Sequence, residues 1–169
     1  MSGFGPFALA AGGGTLALSP LPGRGGDFTG DLARLCDWRP DLVISLTGGA
    51  EMAARGADGL GAALAARGIG WRHLPVTDFG VPGPDSAAAW PALAAEALAV
   101  LAAGGRVLVH CHGGCGRSGM VALRLMIGTG EGAEAALARL RAVRPCAVET
   151  GAQMEWAMET TGDTGRMGG

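Results

Sequence analysis

Arg106-Val107-Leu108-Val109-His110-Cys111-His112-Gly113-Gly114-Cys115-Gly116-Arg117-Ser118-Gly119-Met120-Val121-Ala122-Leu123-Arg124-Leu125-Met126-Ile127 reads as a strand, a glycine-rich turn and a helix. The apolar run 106–109 suits a buried strand, and the run 120–127 is apolar nearly all round, as a central helix would be. A cysteine at the end of such a strand opens a turn that feeds a helix N-terminus. Backbone N–H groups of that turn, aided by the helix dipole, form a cradle for a dianion. Arg117 can add two parallel hydrogen bonds to one phosphate. The same positive field favours the thiolate of Cys111. A nucleophile beneath a phosphate site is the equipment for phosphoryl transfer through a cysteinyl phosphate. The spacing of Cys111 and Arg117 is weak evidence by itself; His110, the glycines, Ser118 and the strand–turn–helix setting make it specific.

The 169 residues suit a single domain over 1–162, followed by a disordered tail over 163–169. Lysine, asparagine and tyrosine are absent, so every fixed positive side-chain charge is an arginine. A net charge of −2 gives no general attraction to nucleic acid or to an anionic membrane, so neither is expected as a partner. The apolar run from Phe4 to Leu18 lacks a basic flank and is broken by glycines, and the Ala-rich run from Ala87 to Ala103 is too short to span a bilayer comfortably. A cytoplasmic protein is expected. The four cysteines suggest no disulfide framework, and Cys111 must be reduced to act.

Working outward from the loop, strands are expected at Phe7–Ala10, Thr15–Leu18, Asp41–Leu46, Ile69–Leu74 and Arg106–Val109. Helices are expected from Asp27 or Thr29 to Trp38 and in two pieces, Glu51–Arg55 and Gly59–Arg67. Further ones are expected from Asp85 or Ser86 to Ala103, with Pro91 a candidate for its true first turn, and at Arg117–Ile127, Glu131–Val143 and Thr150–Thr160. Strands alternating with helices indicate an α/β domain whose central sheet is largely parallel and covered by helices on both faces.

A phosphomonoester leaves as a poor alkoxide or phenoxide unless it is protonated, so the nucleophile needs a general acid. Asp78, in the loop after the fourth strand, is the best candidate, with an ordinary turn aspartate as the alternative. Asp85 competes, but a helix-cap role explains it more simply. Ser118 can donate to the departing thiolate, or satisfy the helix terminus, or both. His110 is read as a buried orienting residue, His112 as lining the mouth of the site and His73 as structural. No metal-ligand spacing stands out, so neither metal nor cofactor is expected. Cys115 is either a small apolar filler or a resolving thiol that traps oxidised Cys111 as a disulfide, with Cys36 and Cys146 as rival resolving thiols.

The loop His110–Ser118 resembles that of the cysteine-dependent protein tyrosine phosphatases of the dual-specificity branch, with the kinase-associated phosphatase type the nearest match. Leu18–Gly23, Pro75–Gly80 and Arg144–Thr150 extend the resemblance over residues 18 to 158. It implies a phosphatase fold with Cys111 as nucleophile, Asp78 as acid and Ser118 assisting turnover. It also implies that His112, Gly113, Gly114, Cys115, Gly116 and Arg117 hold the phosphate, and that Gln153 positions the hydrolytic water. Two departures stand out: Cys146 replaces a usual glycine, and Cys115 a bulkier or apolar residue. A kinase partner is not carried over.

The expected substrate is a phosphorylated protein or peptide, bearing phosphotyrosine and secondarily phosphoserine or phosphothreonine. A phosphorylated metabolite, nucleotide or lipid head group is the alternative, and an inactive phosphate-binding module is a third reading. The order of nucleophile and acid excludes the low-molecular-weight phosphatase and arsenate reductase type. The absence of lysine weighs against highly anionic substrates. The oligomeric state is not legible.

Overall fold

The chain opens with a hairpin, β1 (Phe7–Ala11) and β2 (Gly14–Ser19), turned through Gly12 and Gly13 at φ 57° and 94°. Both conformations suit glycine and strain other residues. In this computed structural model residues 3–159 are described, so the tail expected at 163–169 and the expected end of the last helix at Thr160 lie outside them. After β2 come α1 (Phe28–Asp37), β3 (Leu42–Ser45), α2 (Gly49–Ala53), α3 (Leu60–Ala65) and β4 (Gly70–His73). The chain continues through α4 (Pro84–Ala102), β5 (Arg106–His110), α5 (Gly116–Gly128), α6 (Ala133–Val143) and α7 (Gly151–Met158).

The sheet has the order β1-β2-β5-β3-β4, and only the β1–β2 pair is antiparallel. β5 lies in the middle, with Leu108 opposite Ala17 on β2 and Val43 on β3. Because strand side chains alternate, these three face one side and pack with Leu32, Leu35, Met52, Leu60 and Leu64 from α1, α2 and α3. Their neighbours Val107, Val109, Leu16, Leu18, Leu42 and Ile44 face the other side, against α4, α5, α6 and α7. Each fully buried Leu or Val there contributes on the order of 2 kcal/mol. The largely parallel sheet with two covered faces is thus present.

α4 departs from expectation at its start. Its first residue is Pro84, whose missing N–H is harmless in the first turn, while Pro91 lies inside the helix. Pro91 and Ala87, four residues earlier, are both exposed, so water can serve the carbonyl that Pro91 leaves unbonded. Asp85 sits in the first turn rather than at the cap, and the Ser86 hydroxyl donates to the Pro75 carbonyl (2.6 Å).

Parallel strands send their following loops to one edge. β2, β3, β4 and β5 therefore deliver Pro20–Arg24, Leu46–Glu51, Leu74–Asp78 and the Cys111 loop to the same place. In sheets of this kind that edge is where ligands bind.

Candidate active site

Between β5 and α5 the backbone turns its two kinds of polar group in opposite directions. Among the described residues, no protein acceptor engages the amides from His112 to Arg117. The carbonyls, by contrast, are taken. That of His112 accepts from Leu21 N (3.0 Å), and Cys115 O accepts from Gly119 N (2.8 Å) and Val148 N (3.3 Å). Arg144 donates through Nε to Gly114 O (3.0 Å) and through NH2 to Gly113 O (2.8 Å). Gly114 has φ 71°, and a Cβ there would meet the Ser19–Pro20 backbone at 2.7–2.9 Å. Glycine is required at this point of the turn.

Cys111 is 3% exposed at the base of this loop. The preceding His110 is fully buried, with Nε2 2.5 Å from Ser45 Oγ and Nδ1 3.2 Å from Cys111 O. Trp71 Nε1–H donates to the same Ser45 oxygen (2.8 Å), and the Cys111 carbonyl facing Nδ1 can only accept, so Nε2 accepts from the Ser45 hydroxyl. Nδ1 is then the protonated nitrogen and donates to the Cys111 carbonyl. Burial pushes the imidazole down to about 4, so the ring is neutral at pH 7. The chain Trp71–Ser45–His110 fixes the backbone that carries Cys111.

Arg117 is 1% exposed. Its fork donates to Glu51 Oε1 (3.0 Å), Glu51 Oε2 (2.8 Å) and Val76 O (3.0 Å), and NH2 lies 3.4 Å from Asp78 Oδ1. Among the described residues its Nε has no partner, and neither has the hydroxyl of Ser118; both are buried. Burial opposes the Arg117 charge, but the hydrogen bonds to Glu51 and the nearby Cys111 outweigh it and raise its pKa. The Arg117 hydrogen bonds hold the Glu51 carboxyl below the usual carboxylate range, against the upward push of burial. Orphaned buried donors call for an acceptor that the protein does not supply. A tetrahedral dianion supplies one.

Glu51 was not singled out in the sequence. It stands on α2, and the signal that could have found it is an acid just after Thr47-Gly48-Gly49, past the end of β3. His112 lies at the mouth, with Nδ1 3.7 Å from Glu51 Oε2. His73 Nε2 is 2.6 Å from the Thr47 carbonyl and its ring stacks on Trp71. Asp78 reaches over Arg117 from an exposed loop, its side chain 54% accessible.

Gln153 is fully buried at the start of α7, in a capping box with Thr150. Its Oε1 accepts from Glu149 N (2.9 Å) and Thr150 N (3.3 Å), and its Nε2 donates to Gly80 O (3.2 Å). Through these bonds it ties the Asp78 loop to α7. A correction concerns Cys115. It is bonded to Cys146 (S–S 2.10 Å, Cα atoms 5.1 Å apart), so its sulfur faces the α6–α7 loop and not Cys111. Cys111 and Cys36 are the free cysteines. Two of the four cysteines therefore do form a disulfide, because folding brings together loops 31 residues apart in sequence. Among the described residues no group of three His, Cys, Asp or Glu side chains gathers as a metal site, and no helix is long and apolar enough to cross a membrane.

Comparison with known proteins agrees with this arrangement. Residues 24–131 match the family described as Tc-R-P, "Polymorphic toxin system, DSP-PTPase phosphatase". No curated protein sequence matches the chain. Among solved structures, kinase associated phosphatase with its catalytic cysteine replaced by serine is similar at TM-score 0.75 and 24% identity, over 90% of this chain and 89% of that one. Tk-PTP in its active form is similar at TM-score 0.69 and 29% identity, over 96% and 99%. PTPMT1 in complex with PI(5)P is similar at TM-score 0.72 and 22% identity, over 91% and 94%. The match covers well over half of the chain, and the chain belongs to this DSP-PTPase family, a cysteine-dependent phosphatase of the dual-specificity superfamily.

Proposed function

We propose that the site hydrolyses phosphotyrosine in proteins, and phosphoserine or phosphothreonine secondarily, through a phosphocysteine intermediate. The observation that carries the chemistry is the ring of unengaged amides from His112 to Arg117, closed by the unpaired Arg117 Nε above buried Cys111. In this reading the cradle and Arg117 hold the non-bridging phosphate oxygens. The Cys111 thiolate attacks phosphorus as the ester oxygen leaves, and the carboxyl of Asp78 gives that oxygen its proton. The Asp78 carboxylate then takes a proton from the water that attacks the phosphocysteine. The departing Cys111 sulfur receives the Ser118 hydroxyl hydrogen bond.

Phe79 favours an aryl ester. It is 60% exposed, the large apolar side chain most open to solvent among the described residues, and it stands at φ 62° beside Asp78. That conformation costs a side-chain-bearing residue about 1–2 kcal/mol. It is held by the Phe79 N–H, which donates to Asp78 Oδ1 (3.0 Å). An aromatic ring kept at the lip of a phosphate site at such a cost can cover a phenyl ring. A second reading, a phosphorylated lipid head group or metabolite, is favoured by the arginines Arg24 and Arg34 on the neighbouring cavity of about 580 Å³. Asp27 and Asp31 line the same cavity and offset them, which suits a peptide better than a polyanion.

The test is turnover of phosphotyrosine peptides against phosphoserine peptides, inositol phosphates and nucleotides, for wild type and Phe79→Ala. The expected result is a preference for phosphotyrosine that falls several-fold in Phe79→Ala. A preference for a soluble metabolite or lipid head group, unchanged by Phe79→Ala, would overturn the protein-substrate reading.

A further inference from the structure

Apart from the Leu21 N bond to His112 O and the Ser19–Pro20 backbone against Gly114, the outer face of the phosphate loop is held by one segment, the α6–α7 connection from Arg144 to Thr150. Gly113, Gly114 and Gly116 give the loop little side-chain packing of its own, so its shape depends on what grips it from outside. Arg144 grips the carbonyls of Gly113 and Gly114 with two donors, while its guanidinium lies 4.1 Å from the centre of the Phe7 ring. Val148 N grips the Cys115 carbonyl, and Gly119 lies so close to Ala147 and Val148 that a Cβ there would meet Val148 N at 2.5 Å. The Cys115–Cys146 bond is the covalent member of this set, and it joins the loop one residue before α5 begins. Each of these contacts turns a carbonyl outward or fixes the loop's end, and so keeps the opposite N–H groups aimed into the cradle.

We propose that the Cys115–Cys146 disulfide is a redox-responsive brace of the phosphate loop, holding the cradle in its anion-binding shape and weakening that binding when reduced. The inference rests on the reading of this loop as the phosphate site. Reduction by a dithiol breaks the Sγ–Sγ bond, delivers two electrons and two protons to give Cys115 and Cys146 thiols, and converts the dithiol to its own disulfide. The α6–α7 connection then restrains the glycine-rich turn through the Arg144 and Val148 hydrogen bonds without a covalent link. Cys111 is buried and unpaired while Cys115 is bonded elsewhere, so the oxidised brace coexists with a reduced nucleophile. Cys146 acts through the loop and touches no substrate; it is a positioning residue.

The test uses the full chain carrying Cys111→Ser, so that oxidation of the nucleophile cannot enter the result. Tungstate affinity is measured by calorimetry before and after treatment with dithiothreitol, with peptide mapping to verify the Cys115–Cys146 link. The expected result is a roughly tenfold weaker tungstate Kd after reduction, about 1.4 kcal/mol. Adding Cys146→Ala should give the weaker value in both conditions, with circular dichroism unchanged. Equal affinity before and after reduction, or a mapped protein lacking the link, would overturn the brace and leave the phosphatase reading standing. Tungstate binding in neither state would overturn the phosphate-site reading and the brace with it.

Discussion

The two loops that meet over Cys111 are held in opposite ways. In the phosphate loop Cys111, Arg117 and Ser118 are 3% exposed or less, and each carbonyl from Cys111 to Cys115 accepts a hydrogen bond. The Asp78 loop is open: the Asp78 side chain is 54% accessible and Phe79 is 60% exposed. That loop is secured chiefly by its own Gly80 N to Thr77 O turn and by the Gln153 tether on Gly80. In the proposed mechanism the difference follows from what each loop must do. Charge that develops on phosphate is stabilised best by donors that need no rearrangement. A general acid must meet leaving groups of different shape and then let product go, which an adjustable loop permits.

That contrast can be broken most severely at Asp78. If the open loop delivers the proton, Asp78→Asn should lower turnover by about 10²–10⁴-fold for leaving groups of high pKa. The loss should shrink for activated aryl phosphates, which a leaving-group series would show. Equal losses across the series would assign Asp78 a structural role.

The rigidity of the other loop has a signature in pH. His110 is neutral in the folded protein, with a pKa of about 4 against 6.5 for the free side chain. Between these values the unfolded chain binds a proton that the folded chain refuses. Stability is therefore full above about pH 6.5 and falls as pH drops toward 4, by about 3 kcal/mol from this group. Urea unfolding at pH 7 and pH 4.5 should show that loss in wild type and a smaller one in His110→Gln. The same loss in both would mean that His110 does not carry it.

A finer probe is Glu51, which pins the Arg117 fork from the far side. Hydrogen bonds to charged groups contribute about 1.5–3 kcal/mol, so Glu51→Gln should lower kcat/KM roughly 10- to 100-fold. The deficit should be similar for activated and unactivated esters, since Arg117 meets the phosphate in both. A deficit confined to unactivated esters would instead link Glu51 to the acid loop.

The sequence showed the sheet and the phosphate loop because both are written locally. A continuously buried apolar strand, a glycine turn and an all-round apolar helix lie within residues 106–128. Asp78 could be singled out as an acid in the loop after β4, and the structure places it 3.4 Å from Arg117. Glu51 could not, since nothing near Arg117 in sequence points to a partner 66 residues away. The disulfide was hidden in the same way: only the packing of α6 and α7 on α5 brings Cys146 to Cys115. For Gln153 the resemblance implied a water-positioning role, and the structure shows its amide in a capping box with Thr150 and bonded to Gly80 O.

Capture of the phosphoenzyme tests the whole account most directly. Wild-type protein turning over a ³²P-labelled phosphotyrosine peptide with chelator present would be quenched in acid, digested and mapped. The account expects label on the peptide carrying Cys111, accumulation of that label when Ser118→Ala slows the second step, and no turnover in Cys111→Ser. Sustained turnover by Cys111→Ser, or label on any other residue, would contradict it.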